Sequence, residues 1–454
     1  MSFSKNTALA GLVALGALQG VAATPDTRGP PTLVDFDDSG LVGGIFYPPT
    51  DTPRSRIGVY VMHAEQDYLD FVACTELPKR GFTTFCANND ASKSGYMNDV
   101  DFEDLMTQVG TGLDYMRNNI TEIDKVVILG HSGGGAMMAA YQNIAENGQA
   151  ACNGSEKIYP CSDAVADLPA ADGLMLIDCN YGLSTMSLLS LNPAIVDENN
   201  SSAINEALNL YNPATGFVDN ASSNYTASFK KAFQSGVVAR NNKVIAHAEA
   251  RLKAIEAGQG IYSDDEPLTI IDADYIGFNN KFFAQDTRWI HHTTHAWPLL
   301  HKNGTTTQIV PSVRVPTNFE SWADTWEGGA LKTTVRRYLS TFAIRATEDF
   351  NIKVDGFDGI VWNSSQTSPL GNVGGITVPL LTMGMTGHYE YLNAEKLHLA
   401  AGSKDASIAF VAGAQHTINT CTACESYPGE FGNTIVTAFN HIGEWLAKEG
   451  RFLD

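Results

Sequence analysis

The stretch Val126-Val127-Ile128-Leu129-Gly130-His131-Ser132-Gly133-Gly134-Gly135-Ala136 decides how the rest of this chain is read. Val126 to Leu129 is a continuous apolar run, as a strand buried on both faces requires. From Ala136 to Ala145 small residues and methionines form a helical pattern that stops at Asn147-Gly148. Between them stands a G-x-S-x-G turn, Gly130-His131-Ser132-Gly133-Gly134. In such a turn the serine is strained, and glycines two before and two after it let strand and helix approach closely enough to push Ser132 outward. The helix amino terminus then directs N–H groups and a positive dipole at the serine. The alternative, a glycine-rich turn with a solvated serine, does not require this strand-turn-helix context.

Working outward, short apolar runs alternate with helical patterns from residue 57, the signature of a parallel sheet with crossover helices. Strand candidates are Ile57 to Met62, Phe82 to Ala87, Leu174 to Ile177, Val378 to Met383 and Ile408 to Val411. Phe102, Leu105, Val109, Leu113 and Met116 mark one buried helix face, and a last helix runs from about Thr434 to Lys448. Residues 33 to 47, with Gly43-Gly44, suggest an antiparallel hairpin opening the sheet. Between residues 183 and 374 the alternation breaks. Helical patterns appear near 226 to 257 and 319 to 346, and the stretch holds Trp289, Trp297, Trp322, Trp326 and Trp362. A loop of that length needs a core of its own, so it reads as a mainly helical cap, its aromatics either packing that core or lining a substrate cavity.

With that layout the chain resembles the α/β-hydrolase superfamily. The resemblance implies an eight-stranded, mostly parallel sheet with helices on both faces, Ser132 after the fifth strand, and an acid and a histidine downstream. It implies a catalytic domain from 24–182 and 375–454, interrupted after strand six by the cap at 183–374. His416, in Gly413-Ala414-Gln415-His416, is similar to the histidine that the family carries after strand eight. The acid is less regular. Gly384-Met385-Thr386-Gly387 puts glycine where the family's strand-seven aspartate belongs, leaving Asp178 at the end of Leu174 to Ile177, or Glu390 after strand seven. Asp178 is preferred, because a strand end fixes a carboxylate better than a loop does. The acid orients the imidazole and stabilises its cation without taking the proton. Oxyanion donors are expected from the amide of Gly133 and from His63-Ala64-Glu65, which looks like the family's H-G-x loop, with Glu65 favoured over Ala64.

The whole chain agrees with an export product. Of 454 residues 44% are hydrophobic and 17% charged, which rules out disorder for most of the length. With 29 Lys and Arg against 50 Asp and Glu the net charge is −21, which counts against nucleic-acid binding. Residues 1–23 read as a secretory signal: Lys5, an apolar run from Ala8 to Leu18, and a cleavage site at Val21-Ala22-Ala23. That run is too short to span a membrane. Glycosylation acceptors stand at Asn119, Asn153, Asn199, Asn200, Asn220, Asn224, Asn303 and Asn363. In an oxidising compartment most of the seven cysteines pair; the candidates are Cys152 with Cys161, Cys421 with Cys424 and Cys74 with Cys86, leaving Cys179.

Other signals are discounted. His291 and His295 have helical i, i+4 spacing, but His292 stands where a zincin has glutamate, so no metal is expected there. No Walker-type motif occurs, and no cofactor is expected. The reading is a secreted serine esterase acting on a fairly apolar small-molecule ester, or on a lactone or amide. An acyltransferase, a peptidase or a tailoring enzyme of specialised metabolism would use the same residues. A catalytically silent binding protein is the rival from another class. Oligomeric state is not legible.

Overall fold

The computed structural model describes residues 28–36, 39–93, 98–219, 221–275, 281–316 and 329–453. The leader at 1–23, Asn220, Trp322 and Trp326 lie outside them. The hairpin β1 (Thr32–Phe36) and β2 (Leu41–Phe46) opens a sheet continued by β3 (Ile57–His63), β4 (Thr83–Asn88), β5 (Lys125–His131) and β6 (Gly173–Ile177). The crossovers are α1 (Ala73–Lys79), α2 (Phe102–Asn119) and α3 (Gly133–Asn147). In the buried strand β3, Tyr60 and Met62 pack into one apolar layer and Ile57, Val59 and Val61 into the other, as two-residue alternation dictates. Asp101 caps α2, its side chain accepting from the amides of Glu103 and Asp104.

The insertion begins with α4 (Leu183–Ser190) and the 30-residue α5 (Ala227–Glu256), which buries Phe229, Phe233, Val237, Val244 and Ala248. Among the described residues the insertion mixes these helices with strands. It also contains β7 (Pro267–Ile270), β8 (His292–His301), β9 (Gly304–Pro311), β10 (Leu331–Thr334), β11 (Ala346–Ile352) and β12 (Phe357–Ile360). The helical pattern read from 319 to 346 is broken by β10, although residues 317–328 lie outside the described set. The chain then returns to the sheet through β13 (Leu380–Met385), α6 (Asn393–Ala400), β14 (Ala406–Val411) and α7 (Thr434–Leu446).

The main sheet has ten strands in the order β1-β2-β4-β3-β5-β6-β13-β14-β8-β9. The first eight are the expected ones, parallel from β4 through to β14. The expectation of eight needs correcting, because the inserted hairpin β8–β9 extends the sheet. Phe410 and Val411 of β14 pair in parallel with Leu299 and Leu300 of β8. The insertion at 183–374 is therefore partly cap and partly sheet edge. Side chains of α2, α3 and α6 fill one layer; those of α1 and α7 fill the other. Among the described residues no helix is long and apolar enough to cross a membrane.

Each cysteine pair read from the sequence lies at bonding distance, with Cα separations of 6.1 Å for Cys74–Cys86, 5.6 Å for Cys152–Cys161 and 5.2 Å for Cys421–Cys424. Cys179 is free and buried. The seven described asparagines of the acceptor triplets are all exposed. His292 and His295 lie on a strand, so the helical spacing of the histidine cluster does not exist.

Candidate functional site

Ser132 joins β5 to α3 at φ 55° and ψ −128°. For a residue with a Cβ that region costs about 1–3 kcal/mol, so neighbours must hold it. They do so from the end of β6: the Ser132 amide donates to the Ile177 carbonyl at 3.3 Å, and its carbonyl accepts from the Asn180 amide at 3.1 Å. The flanking glycines are steric necessities. A Cβ on Gly134 would stand 2.6 Å from the Met62 carbonyl oxygen, and one on Gly130 would stand 2.3 Å from that of Gly134.

The same strand end carries Asp178, itself at φ 41°. Its Oδ2 lies 2.7 Å from His416 Nδ1, while Oδ1 accepts from the Met385 amide at 2.9 Å. Burial alone would raise the Asp178 pKa, but bonds from His388 and His416 outweigh it and hold the carboxyl at about 2. His416 is pushed below the usual histidine range, by burial and then by His388, against the pull of Asp178. Its ring is therefore neutral at pH 7, with the Nδ1 proton directed to Asp178 and a lone pair on Nε2.

His131, inside the turn motif, fixes the loop that carries His416. Its Nε2 lies 2.6 Å from the His416 carbonyl oxygen, which only accepts, so Nε2 holds the proton and Nδ1 accepts from the Tyr68 hydroxyl. Burial lowers its pKa to about 3 and keeps it neutral.

Glu390, the second acid candidate, approaches the same imidazole. Its Oε2 is 3.3 Å from His416 Nδ1 and 4.0 Å from His388 Nδ1. That oxygen is buried without a hydrogen-bond partner among the described residues. Burial, and then the charge of Asp178, raises the Glu390 pKa well above the carboxylate range. Both candidates are thus brought to His416, one ionised and bonded, the other neutral.

The oxyanion loop differs from expectation. The Glu65 amide donates to His63 Nδ1 at 3.0 Å, and the Gln66 amide donates to the same atom at 2.9 Å. Glu65 N–H is thus turned into its own loop, while the carbonyl of buried Ala64 accepts from Asn89 and its amide remains the backbone candidate there. Two donors on Nδ1 fix the His63 tautomer with the proton on Nε2. Burial and three nearby cationic or imidazole groups push its pKa well below 6.5, so the ring stays neutral. Its Nε2 lies over Gly133, where a Cβ would stand 3.2 Å from Nε2 and 3.5 Å from Asn180 Nδ2. Asn180 Oδ1 accepts from the Gly182 amide at 2.8 Å, which leaves Nδ2 as the end facing Gly133. Two side-chain donors therefore face the residue after Ser132. The sequence reading missed both, because it assigns donation in His63-Ala64-Glu65 to backbone amides.

Ser132, His416, His63 and Asn180 line a cavity of about 510 Å³, with Tyr68 and Phe71 from the catalytic domain and Met186 and Tyr275 from the insertion. Tyr275 also donates its hydroxyl to Glu65, tying the insertion to the His63 loop. Burial raises the Glu65 pKa to about 7, although this bond opposes the shift. The described tryptophans of the insertion, Trp289, Trp297 and Trp362, pack against the core and do not line this cavity.

No family model matches the chain, and no curated protein matches it. Among solved structures it is similar to a soluble variant of monoglyceride lipase from Saccharomyces cerevisiae, at 14% identity and a TM-score of 0.38, over 92% of this chain and 96% of that one. It is similar to siderophore hydrolase EstB from Aspergillus fumigatus, at 12% identity and a TM-score of 0.41, over 92% and 97%. Est1E from Butyrivibrio proteoclasticus stands at 10% identity and a TM-score of 0.38, over 92% and 98%. At these identities no activity is carried across from them. The strand order, with a serine elbow leaving β5, already makes this chain path an α/β-hydrolase fold.

Proposed function

We propose that the protein is an exported serine hydrolase that cleaves a carboxylic ester of a fairly apolar small molecule through an acyl-Ser132 intermediate. The observation that carries this reading is the 2.7 Å contact of His416 Nδ1 with ionised Asp178, beside a cavity into which the strained Ser132 opens. His416 Nε2 takes the proton of Ser132 as its Oγ attacks the ester carbonyl, and returns it to the departing alcohol. Water then repeats the sequence on the acyl-serine and regenerates the hydroxyl. Asp178 keeps Nδ1 protonated and balances the imidazolium that forms. The Gly133 amide, His63 Nε2–H and Asn180 Nδ2–H stabilise the negative oxygen of the tetrahedral intermediate. Tyr68, Phe71, Met186 and Tyr275 favour an apolar or ring-bearing group.

Export is supported by the leader pattern of residues 1–23, the three cysteine pairs at bonding distance and the exposed acceptor asparagines. A fluorophosphonate probe tests the chemistry. Wild type is expected to be labelled and Ser132→Ala unlabelled; an unlabelled wild type beside a labelled control esterase ends the serine-hydrolase reading. A panel of model esters of increasing acyl length then ranks substrates. His63→Leu and Asn180→Leu are each expected to lower kcat by about 10²–10³ with a much smaller change in KM, as loss of an oxyanion donor does. Normal kcat in both returns the task to backbone amides.

A further inference from the structure

Four side chains from three strand ends meet beside the imidazole of His416: Asp178 after β6, His388 and Glu390 after β13, and His416 after β14. Their ligand atoms all lie within 4.8 Å of one another. Asp178 Oδ2 is 2.7 Å from His416 Nδ1 and 3.4 Å from His388 Nδ1. Glu390 Oε2 is 3.3 Å from His416 Nδ1 and 4.0 Å from His388 Nδ1. A tetrahedral cation bonded at zinc distances separates its ligand atoms by about 3.3 Å, in the middle of this range. A second observation points to the same spot. Glu390 is 3% exposed, and its Oε2, facing both rings, has no hydrogen-bond partner among the described residues. The triad as proposed needs only one carboxylate and one imidazole, so His388 and Glu390 are surplus to it.

We propose that Asp178, His388, Glu390 and His416 form a binding site for a divalent cation of the zinc class, and that filling it switches hydrolysis off. The switching half rests on the reading of His416 as the base. Two imidazole nitrogens and two carboxylate oxygens suit zinc, and the two carboxylates neutralise its charge once Glu390 has released its proton to solvent. Magnesium and calcium require six or more oxygen ligands and are not held by this set. The cation takes the lone pair on His416 Nδ1, so the proton of that nitrogen moves to Nε2. Nε2 then has no lone pair for the proton of Ser132, and Asp178 ligates metal instead of imidazole. Entry is open, because His388, Glu390 and His416 all line the cavity that opens to Ser132.

The test titrates zinc into the full chain after chelator treatment, reading binding by calorimetry and turnover on a model ester in parallel. One zinc per chain is expected, with turnover falling in step with occupancy and returning when chelator is added, and with magnesium and calcium inert. Glu390→Gln and His388→Gln, each verified as folded by thermal melting, are expected to weaken zinc binding by about tenfold or more. Absence of stoichiometric binding to wild type overturns the site, and so does undiminished binding to both variants. Stoichiometric binding with full turnover retained overturns the switch. A wild type that binds zinc but hydrolyses no ester and takes no fluorophosphonate leaves the site standing and removes the hydrolase reading.

Discussion

The ends of β6 and β13 each place a carboxyl group against one imidazole nitrogen, and the two behave oppositely. Asp178 is 0% exposed and Glu390 3%, so burial does not distinguish them. Donors do. Asp178 accepts from the Met385 amide and from His416, and stays ionised; Glu390 Oε2 accepts nothing from the described residues and stays protonated. A buried carboxylate needs several donors to keep its charge, and here Met385 of β13 and His416 after β14 supply them to the strand end of β6. The largest expected effect follows from that difference. Asp178→Asn removes the group that fixes the tautomer and balances the imidazolium, and should lower kcat by about 10⁴-fold. Glu390→Gln keeps the shape of a neutral acid and should lower kcat far less. Kinetics on one model ester decide it, and the reverse ranking would transfer the acid role to Glu390.

This contrast was half legible in the sequence. Asp178 was favoured because a strand end restrains its side chain, and the observed bonds come from that placement. The serine turn was legible because its glycines stand within the motif itself, and a Cβ on Gly130 would meet the backbone of Gly134 four residues on. The turn motif and the strand-end position of Asp178 are both read from segments a few residues long, although the bonds that Asp178 makes are not. What stayed hidden depends on distant pairing. The hairpin β8–β9 has a threonine-rich, largely exposed second strand, and its pairing with β14 runs through Leu299 and Leu300. No apolar periodicity announces a strand of that kind. Donation by His63 was hidden for another reason: the tautomer depends on which way the Glu65 and Gln66 amides turn, and composition does not set that.

Glu65 lies between the two extremes, since among the described residues it accepts a single side-chain bond, from Tyr275, and has a pKa of about 7. A carboxyl whose pKa is higher in the folded chain than in the unfolded one favours folding most at low pH. For Glu65 that contribution is whole below about 4.5 and is lost as pH rises through about 7, which over 2.5 units amounts to about 3 kcal/mol. Glu65→Gln should flatten this part of the stability profile, measured by urea denaturation from pH 4 to 8. An unchanged slope would mean that Glu65 is ionised in the fold, as Asp178 is.

The smallest expected effect sharpens the comparison most. Tyr275→Phe removes a side-chain donor that opposes the burial shift of Glu65 and leaves the ring in place. If donors set the charge of buried carboxyls in this cavity, the variant moves Glu65 toward the state of Glu390, and its pKa rises above about 7. The pH at which Glu65-dependent stability is lost should then shift upward, while the profile of a Glu65→Gln, Tyr275→Phe double variant stays flat. The same denaturation series reads both. A downward shift would mean that the Tyr275 hydroxyl does not favour the carboxylate. The link between the insertion and the His63 loop would then be one of packing, with no part in setting charge at the cavity wall.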